Sequence, residues 1–140
     1  MGIDAQLFVR AGRMVEQAEV ESMDRDLTGV LGPNPFYSPS SHLWACQLKD
    51  ETILEVHVDR YYSEGYPRGY LPYYLAVASW LRDRLPGARV YYDDSDEEEA
   101  EELTDARAES LWAHWVSGGW EAHKFHHPSP PGESPWKATP

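Results

Sequence analysis

The residues best suited to chemistry lie together in RYYSEGYPRGY, which spans residues 60–70. Guanidinium groups and tyrosine hydroxyls in a glycine-containing loop hold a carboxylate or a phosphate through paired hydrogen bonds. The start of the helix predicted to follow would add positive potential for such an anion. A simpler interpretation is that the tyrosines pack on a sheet end while the arginines pair with acids. A further interpretation is that the segment recognises another protein. The candidate binding residues in this segment are Tyr61, Tyr62, Tyr66, Arg68 and Tyr70.

A dense acidic run lies further along the chain. Between Asp93 and Glu109, ten acids stand against Arg107 alone, which gives this segment −9 of the net charge of −12. Such a field attracts basic proteins and repels the phosphate backbone of nucleic acid. We therefore expect a basic protein partner and no nucleic acid, with Asp93, Asp94 and Asp96 as candidate contacts. The run lacks the glycine and the ligand spacing of an EF-hand, so we predict a solvated loop and not a calcium site.

Histidine is the side chain best suited to acid–base chemistry near neutral pH. His57 lies on a predicted strand between two acids, where it is either a general base or a surface residue, and we add it to the candidate binding residues. Three further histidines stand in AHKFHH, residues 122–127, without the ligand spacing of a zinc site. We therefore predict no metal site.

Nucleophiles are scarce in this sequence. Cys46 alternates in phase with Trp44 and Leu48, which predicts a position in the core. Ser63 has no partner histidine nearby, and neither a nucleophile elbow nor a phosphate-binding glycine motif occurs. The sequence therefore predicts no catalytic residue and no cofactor.

The totals indicate a single cytoplasmic domain. A length of 140 residues fits one domain with a real core. The N-terminus does not resemble a signal peptide, and no apolar run approaches the ~20 residues of a membrane helix. A single cysteine suits a reducing compartment. We therefore expect a cytoplasmic protein with no membrane partner.

Hydrophobic periodicity predicts the elements that must position these residues. In order, they are a strand at 3–9, a helix at 16–31 ended by Gly32, strands at 42–48 and 52–60, a helix ending near Leu85, a strand at 88–92, and a helix N-capped by Thr104 that ends at Gly118. The order indicates an α+β fold, a ferredoxin-like split βαβ sandwich (βαββαβ) with an additional C-terminal helix. A four-stranded meander with flanking helices is the nearest alternative. We place this domain at residues 1–119, and we expect residues 120–140, a Pro-rich tail, to be largely disordered.

The predicted topology brings three loops to one end of the sheet, namely the proline-rich loop of residues 32–41, the segment 60–70 and the start of the acidic run. Loops that converge on a rigid scaffold are a usual place for function. The two tryptophans of the last helix, Trp112 and Trp115, predict that this helix covers the second face of the sheet. Without that cover, the second face would be an interaction surface.

Three segments are similar to a group of small bacterial proteins of unknown function. They are EVHVDRYYSEGYPRG at 55–69, AVASWL at 76–81 and PGARVYY at 86–92. The resemblance covers the chain from Met1 to about Ser117, with the acidic run in place of a turn that is glycine-rich in that group. It implies a discrete single domain and carries over no catalytic residue.

Three functional hypotheses remain open. The first is a non-enzymatic, acidic protein-binding module, such as an immunity protein, an antitoxin or a phage-type inhibitor that engages a basic protein. The second is a small-molecule enzyme or sensor that binds an anionic ligand through the Tyr/Arg segment and His57. The third is a homodimer formed through the free face of the sheet.

Overall fold

The computed structural model describes residues 6–34, 41–56, 58, 71–93, 100–117 and 132–138. Within these residues the fold is α+β, with a five-stranded antiparallel sheet and three helices. In chain order the elements are β1 (Gln6–Arg10), α1 (Gln17–Leu31), β2 (Leu43–Gln47), β3 (Thr52–Val56), α2 (Leu71–Arg84), β4 (Arg89–Asp93), β5 (Glu101–Glu102) and α3 (Asp105–Ser117). None of the described helices is long and apolar enough to cross a membrane.

The sheet has one strand more than the sequence predicts. Its order is β2-β3-β1-β4-β5, which differs from that of a four-stranded ferredoxin-like sandwich. The added strand, β5, pairs with β4 through Tyr91↔Glu102 and Tyr92↔Glu101, and the N–H of Leu103 donates to the carbonyl of Val90 at 2.7 Å. Two consecutive glutamates show no alternation, so periodicity alone does not reveal this strand.

One face of the sheet forms the core with the helices. Alternate strand residues such as Leu7, Val9 and Leu54 are fully buried there, together with Met23 and Leu27 of α1. The predicted helix that ends near Leu85 is α2, and every residue of 71–79 in it is buried. A helix that is apolar on all sides requires cover on all sides. The sheet therefore lies on one side of α2, and other elements must cover its outer side.

The last helix supplies part of that cover. Thr104 caps α3 as predicted, because its Oγ1 accepts the N–H of Arg107 at 3.2 Å. Ala108 and Trp115 are buried in the same core as α2. The prediction that Trp112 and Trp115 cover the second sheet face is therefore wrong. The reason is β5, which turns the chain back along β4 and buries Leu103 on the helix side just before α3 begins.

The C-terminal segment also lies against the helices. Residues 132–138, inside the stretch that the sequence assigns to a tail, contact α2 and α3 through Trp136 and Lys137. The expected disorder of the remaining tail concerns residues 120–131 and 139–140, all of which lie outside the described residues.

Candidate functional site

Of the nine candidate site residues, Asp93 alone falls within the described part of the chain. It is half-buried at the end of β4, opposite Gln6 of β1. The strand pairings bring the start of β2, the end of β3 and the end of β4 to this same end of the sheet. The other candidates lie outside the described residues, so their role stays a prediction: His57, Tyr61, Tyr62, Tyr66, Arg68, Tyr70, Asp94 and Asp96.

A buried histidine that the sequence analysis did not single out lies at this end of the sheet. His42 is fully buried just before β2, and its Nδ1 is 2.7 Å from the hydroxyl of Tyr73 on α2. Its Nε2 is 3.0 Å from the carbonyl oxygen of Gly32. Because a carbonyl only accepts, Nε2 carries the proton, and Tyr73 must donate its hydroxyl proton to Nδ1.

The surroundings of His42 keep the ring neutral. Burial lowers the pKa of His42, although the carbonyl of Gly32 and the carboxylate of Asp24 oppose that effect. Burial likewise raises the pKa of Tyr73, so its hydroxyl stays protonated and able to donate. Both ring nitrogens are occupied by hydrogen bonds. This pair therefore holds the chain segments around it in position.

The residues tied together by His42 come from three elements. Gly32 ends α1 with a φ of 79°, a conformation that glycine adopts without strain. The backbone N–H of His42 donates to Oδ1 of Asp24 on α1 at 2.8 Å, and its ring bonds to Tyr73 on α2. One side chain therefore joins the end of α1, the start of β2 and α2. No local pattern in the sequence marks such a residue, since its partners are 10 and 31 positions away.

Acidification is expected to destabilise the protein through His42. In the unfolded chain this imidazole takes up a proton near its ordinary pKa of about 6.5, whereas the buried ring resists protonation. The stabilising contribution is therefore complete above about pH 6.5 and is lost as the pH falls towards the lowered pKa of the folded state. Urea unfolding of the wild type and of His42→Gln, at several values between about pH 8 and about pH 5, measures this difference.

The matched control for that experiment is His114→Gln, at an exposed position on α3. Its pH profile should follow that of the wild type. If the gap between wild type and His42→Gln stays constant over the whole range, the buried neutral histidine is not the source of the pH dependence.

The second face of the sheet carries an aromatic row that runs across all five strands. Register pairs Trp44 with Glu55, Glu55 with Phe8, Phe8 with Tyr91, and Tyr91 with Glu102. The rings of Phe8 and Tyr91 stack with their centroids 5.4 Å apart and 8° between their planes. Trp44 is 57% exposed at the β2 end of the row. We call these five residues the cross-sheet row.

The arginines beside the cross-sheet row are already paired. Arg10 donates from Nε and Nη2 to Oε2 of Glu51 at 3.1 and 2.5 Å, and this hydrogen bond holds the pKa of Glu51 below its ordinary value. Arg89 lies 3.6 Å from a carboxylate oxygen of Glu102. Both of these guanidinium groups therefore have a carboxylate partner.

Cys46 also lies on the second face, and its predicted core position is wrong. It is exposed, whereas Leu43 and Ala45 of β2 face the core. Register explains the difference, because Ala45 pairs with the fully buried Leu54 and Cys46 pairs with Ile53. Periodicity alone is ambiguous here, since both phases of this edge strand carry apolar residues.

Comparison with family models, with curated proteins and with solved structures finds no match to this chain. Within the described ranges, no cluster of three or more histidine, cysteine, aspartate or glutamate side chains has the proximity that a metal ion needs.

Proposed function

We propose that this protein is an acidic, non-enzymatic protein-binding module that engages a basic protein surface, in the manner of an immunity protein, antitoxin or phage-type inhibitor. The observation that carries the proposal is the cross-sheet row on the second face of the sheet. Its aromatic centre and acidic end combine the two properties that such a contact needs.

The aromatic part of the row has the composition of an interface centre. Tryptophan and tyrosine contribute more than their share of binding free energy in protein interfaces. Trp44 is one of five large hydrophobic side chains that are notably exposed among the described residues. Phe8 and Tyr91 stack on each other in the same row and are half-buried, and Glu55 lies between them and Trp44. A partner could therefore contact two aromatic patches with one carboxylate between them.

The acidic part determines the chemistry of the partner. The row ends in Glu102 on β5, next to the exposed Glu101, and both belong to the segment that holds −9 of the net charge of −12. A field of this kind speeds the encounter with a cationic surface and disfavours acidic partners. It also opposes pairing with a second copy of this chain, whose net charge is equally negative. A basic protein is therefore the partner that fits.

The fold is consistent with this use of the sheet. We infer a ferredoxin-like sandwich extended by β5, because β1 lies between β3 and β4, β3 lies between β1 and β2, and all neighbours are antiparallel. In such a sandwich the two crossover helices lie on one face and leave the other for contacts.

The proposal predicts that substitutions in the cross-sheet row abolish capture of a basic partner. The wild type, Trp44→Ala and Glu55→Gln are each incubated with an extract of the source cells at about 50 mM salt, and the proteins that each one retains are compared. The protein retained by the wild type alone is then purified and titrated. We expect Trp44→Ala to weaken its binding by about 30-fold or more, and raised salt to weaken binding progressively.

Two matched controls separate the row from the rest of the surface. Val30→Ala removes an exposed apolar side chain on α1, and Glu21→Gln removes one exposed acid on the same helix. Both should bind as the wild type does. Retention that is indifferent to Trp44→Ala, or no salt-sensitive retention at all, would overturn the proposal. A dimer in light scattering that Trp44→Ala dissociates would show that a second copy covers this face instead.

A further inference from the structure

The C-terminal segment, residues 132–138, fills a groove between α2 and α3. The indole Nε1 of Trp136 donates to Oδ1 of Asp105 at 2.8 Å, at the start of α3. The guanidinium carbon of Arg82 on α2 lies 4.4 Å from the centre of the Trp136 ring. Arg82 also donates to the same carboxylate oxygen at 3.3 Å. The tryptophan is therefore held on its face by a cation and at its edge by an acceptor.

The main chain of the segment is held as well. The backbone N–H of Lys137 donates to Oγ of Ser79 at 3.0 Å, and the carbonyl of Lys137 accepts a hydrogen bond from Arg82. At the other end of the segment, Nε1 of Trp112 donates to the carbonyl of Gly132 at 3.3 Å. Ser79 is a buried hydroxyl on an otherwise apolar stretch of α2. A backbone donor there satisfies its acceptor oxygen.

These contacts are of the kind that hold a peptide in a groove. Specificity comes from one aromatic anchor, and main-chain bonds fix the direction and register of the peptide, as in other peptide-binding grooves. A cavity of about 560 Å³ adjoins the anchor, with Leu103, Val90, Ala88 and Arg89 in its wall and Trp136 on one side. The position that Trp136 occupies is thus part of a larger concave surface.

We propose that this groove is an exchangeable docking site for a tryptophan-bearing peptide, and that residues 132–138 of the same chain are its resident ligand. Covalent connection through residues 118–131 gives the resident segment a high local concentration. A free peptide of the same sequence competes poorly with it. Substitutions that weaken the resident segment open the groove to binding in trans.

The test uses the full chain and a fluorescein-labelled peptide, GESPWKATP, which corresponds to residues 132–140. Anisotropy titrations compare the wild type with Trp136→Ala, which removes the anchor from the resident segment. We expect the variant to bind the peptide ~10-fold or more tightly than the wild type does, because internal competition at roughly millimolar effective concentration is removed. The peptide GESPAKATP, without the tryptophan, should not bind either protein.

Two arginines on α2 provide the matched control in the Trp136→Ala background. Arg82→Met should remove peptide binding, whereas Arg84→Met should leave it unchanged. Arg84 pairs with Asp26 at 2.8 Å and lies over the ring of Trp80, away from the groove. Both substitutions remove one positive charge from the same helix, so a general effect of charge would appear equally in both.

A second variant keeps the proposal testable if Trp136→Ala lowers stability. Trp136→Phe retains an aromatic ring over Arg82 and loses only the hydrogen bond to Asp105. It should bind the peptide with an affinity between those of the wild type and Trp136→Ala. Equal binding by all three proteins, or equal binding of both peptides, would overturn the proposal.

Discussion

Replacing His42 with leucine is expected to lower the free energy of unfolding by about 3 kcal/mol. Leucine has a similar volume but removes both ring hydrogen bonds, so Tyr73 loses its acceptor and the carbonyl of Gly32 loses its donor. The Tyr73 hydroxyl is buried and the Gly32 carbonyl is half-buried, and losing a hydrogen bond to such a group costs about 1–3 kcal/mol. Urea unfolding followed by far-UV circular dichroism measures the change.

A double-mutant cycle identifies the cause of that loss. Tyr73→Phe alone should cost about 1–2 kcal/mol, because Nδ1 of His42 then lacks its donor. The double variant, His42→Leu with Tyr73→Phe, should be less destabilised than the sum of the two single changes, since the hydroxyl that bonded to His42 is also gone. Strict additivity would show that the hydrogen bond between the two side chains contributes little and that packing dominates.

Replacing Trp115 with alanine is expected to lower the free energy of unfolding by about 4 kcal/mol. Trp115 is 3% exposed and stacks on Trp112 with ring centroids 5.0 Å apart. Its removal leaves a large cavity where α3 joins the shared core, and a cavity of that size relaxes only in part. Thermal and urea unfolding both report the loss.

The adjacent position provides the control for Trp115. Val116 is 47% exposed on the same helix, so Val116→Ala should change stability by no more than about 0.5 kcal/mol. The milder variant Trp115→Phe also locates α3, because its amide chemical-shift changes should concentrate in α2 and spare β1. Shifts concentrated at Phe8 and Tyr91 would mean that α3 lies on the second sheet face after all.

Features with a local cause follow from the sequence. The end of α1 at Gly32 and the N-cap at Thr104 are confirmed, and the periodicity that predicts α1 buries Val20, Met23 and Leu27. Each feature depends on residues within a few positions of one another, where periodicity and capping act directly. The α+β class and, apart from β5, the element order follow from the same local patterns.

Features with a distant cause do not follow from the sequence. The core phase of β2 is determined by its register with β3, and two glutamates become β5 only because the edge of β4 is available. The position of α3 then depends on β5. His42 and Trp136 each obtain their role from partners that are ten or more positions away in the sequence. For the candidate site, the strand directions predict which end of the sheet the loops reach. They do not predict the cross-sheet row, because its five residues become neighbours only through all four strand pairings.

The two edges of the sheet have unequal consequences for self-association. On one side the sheet ends in β5, a strand of two exposed glutamates, and short charged edges resist the addition of another strand. On the other side it ends in β2, which exposes Trp44 and Cys46 and carries neither lysine nor proline. A chain that can extend its sheet at only one edge can form a closed pair but cannot propagate a fibre. The same acidic run that favours a basic partner therefore also limits polymerisation.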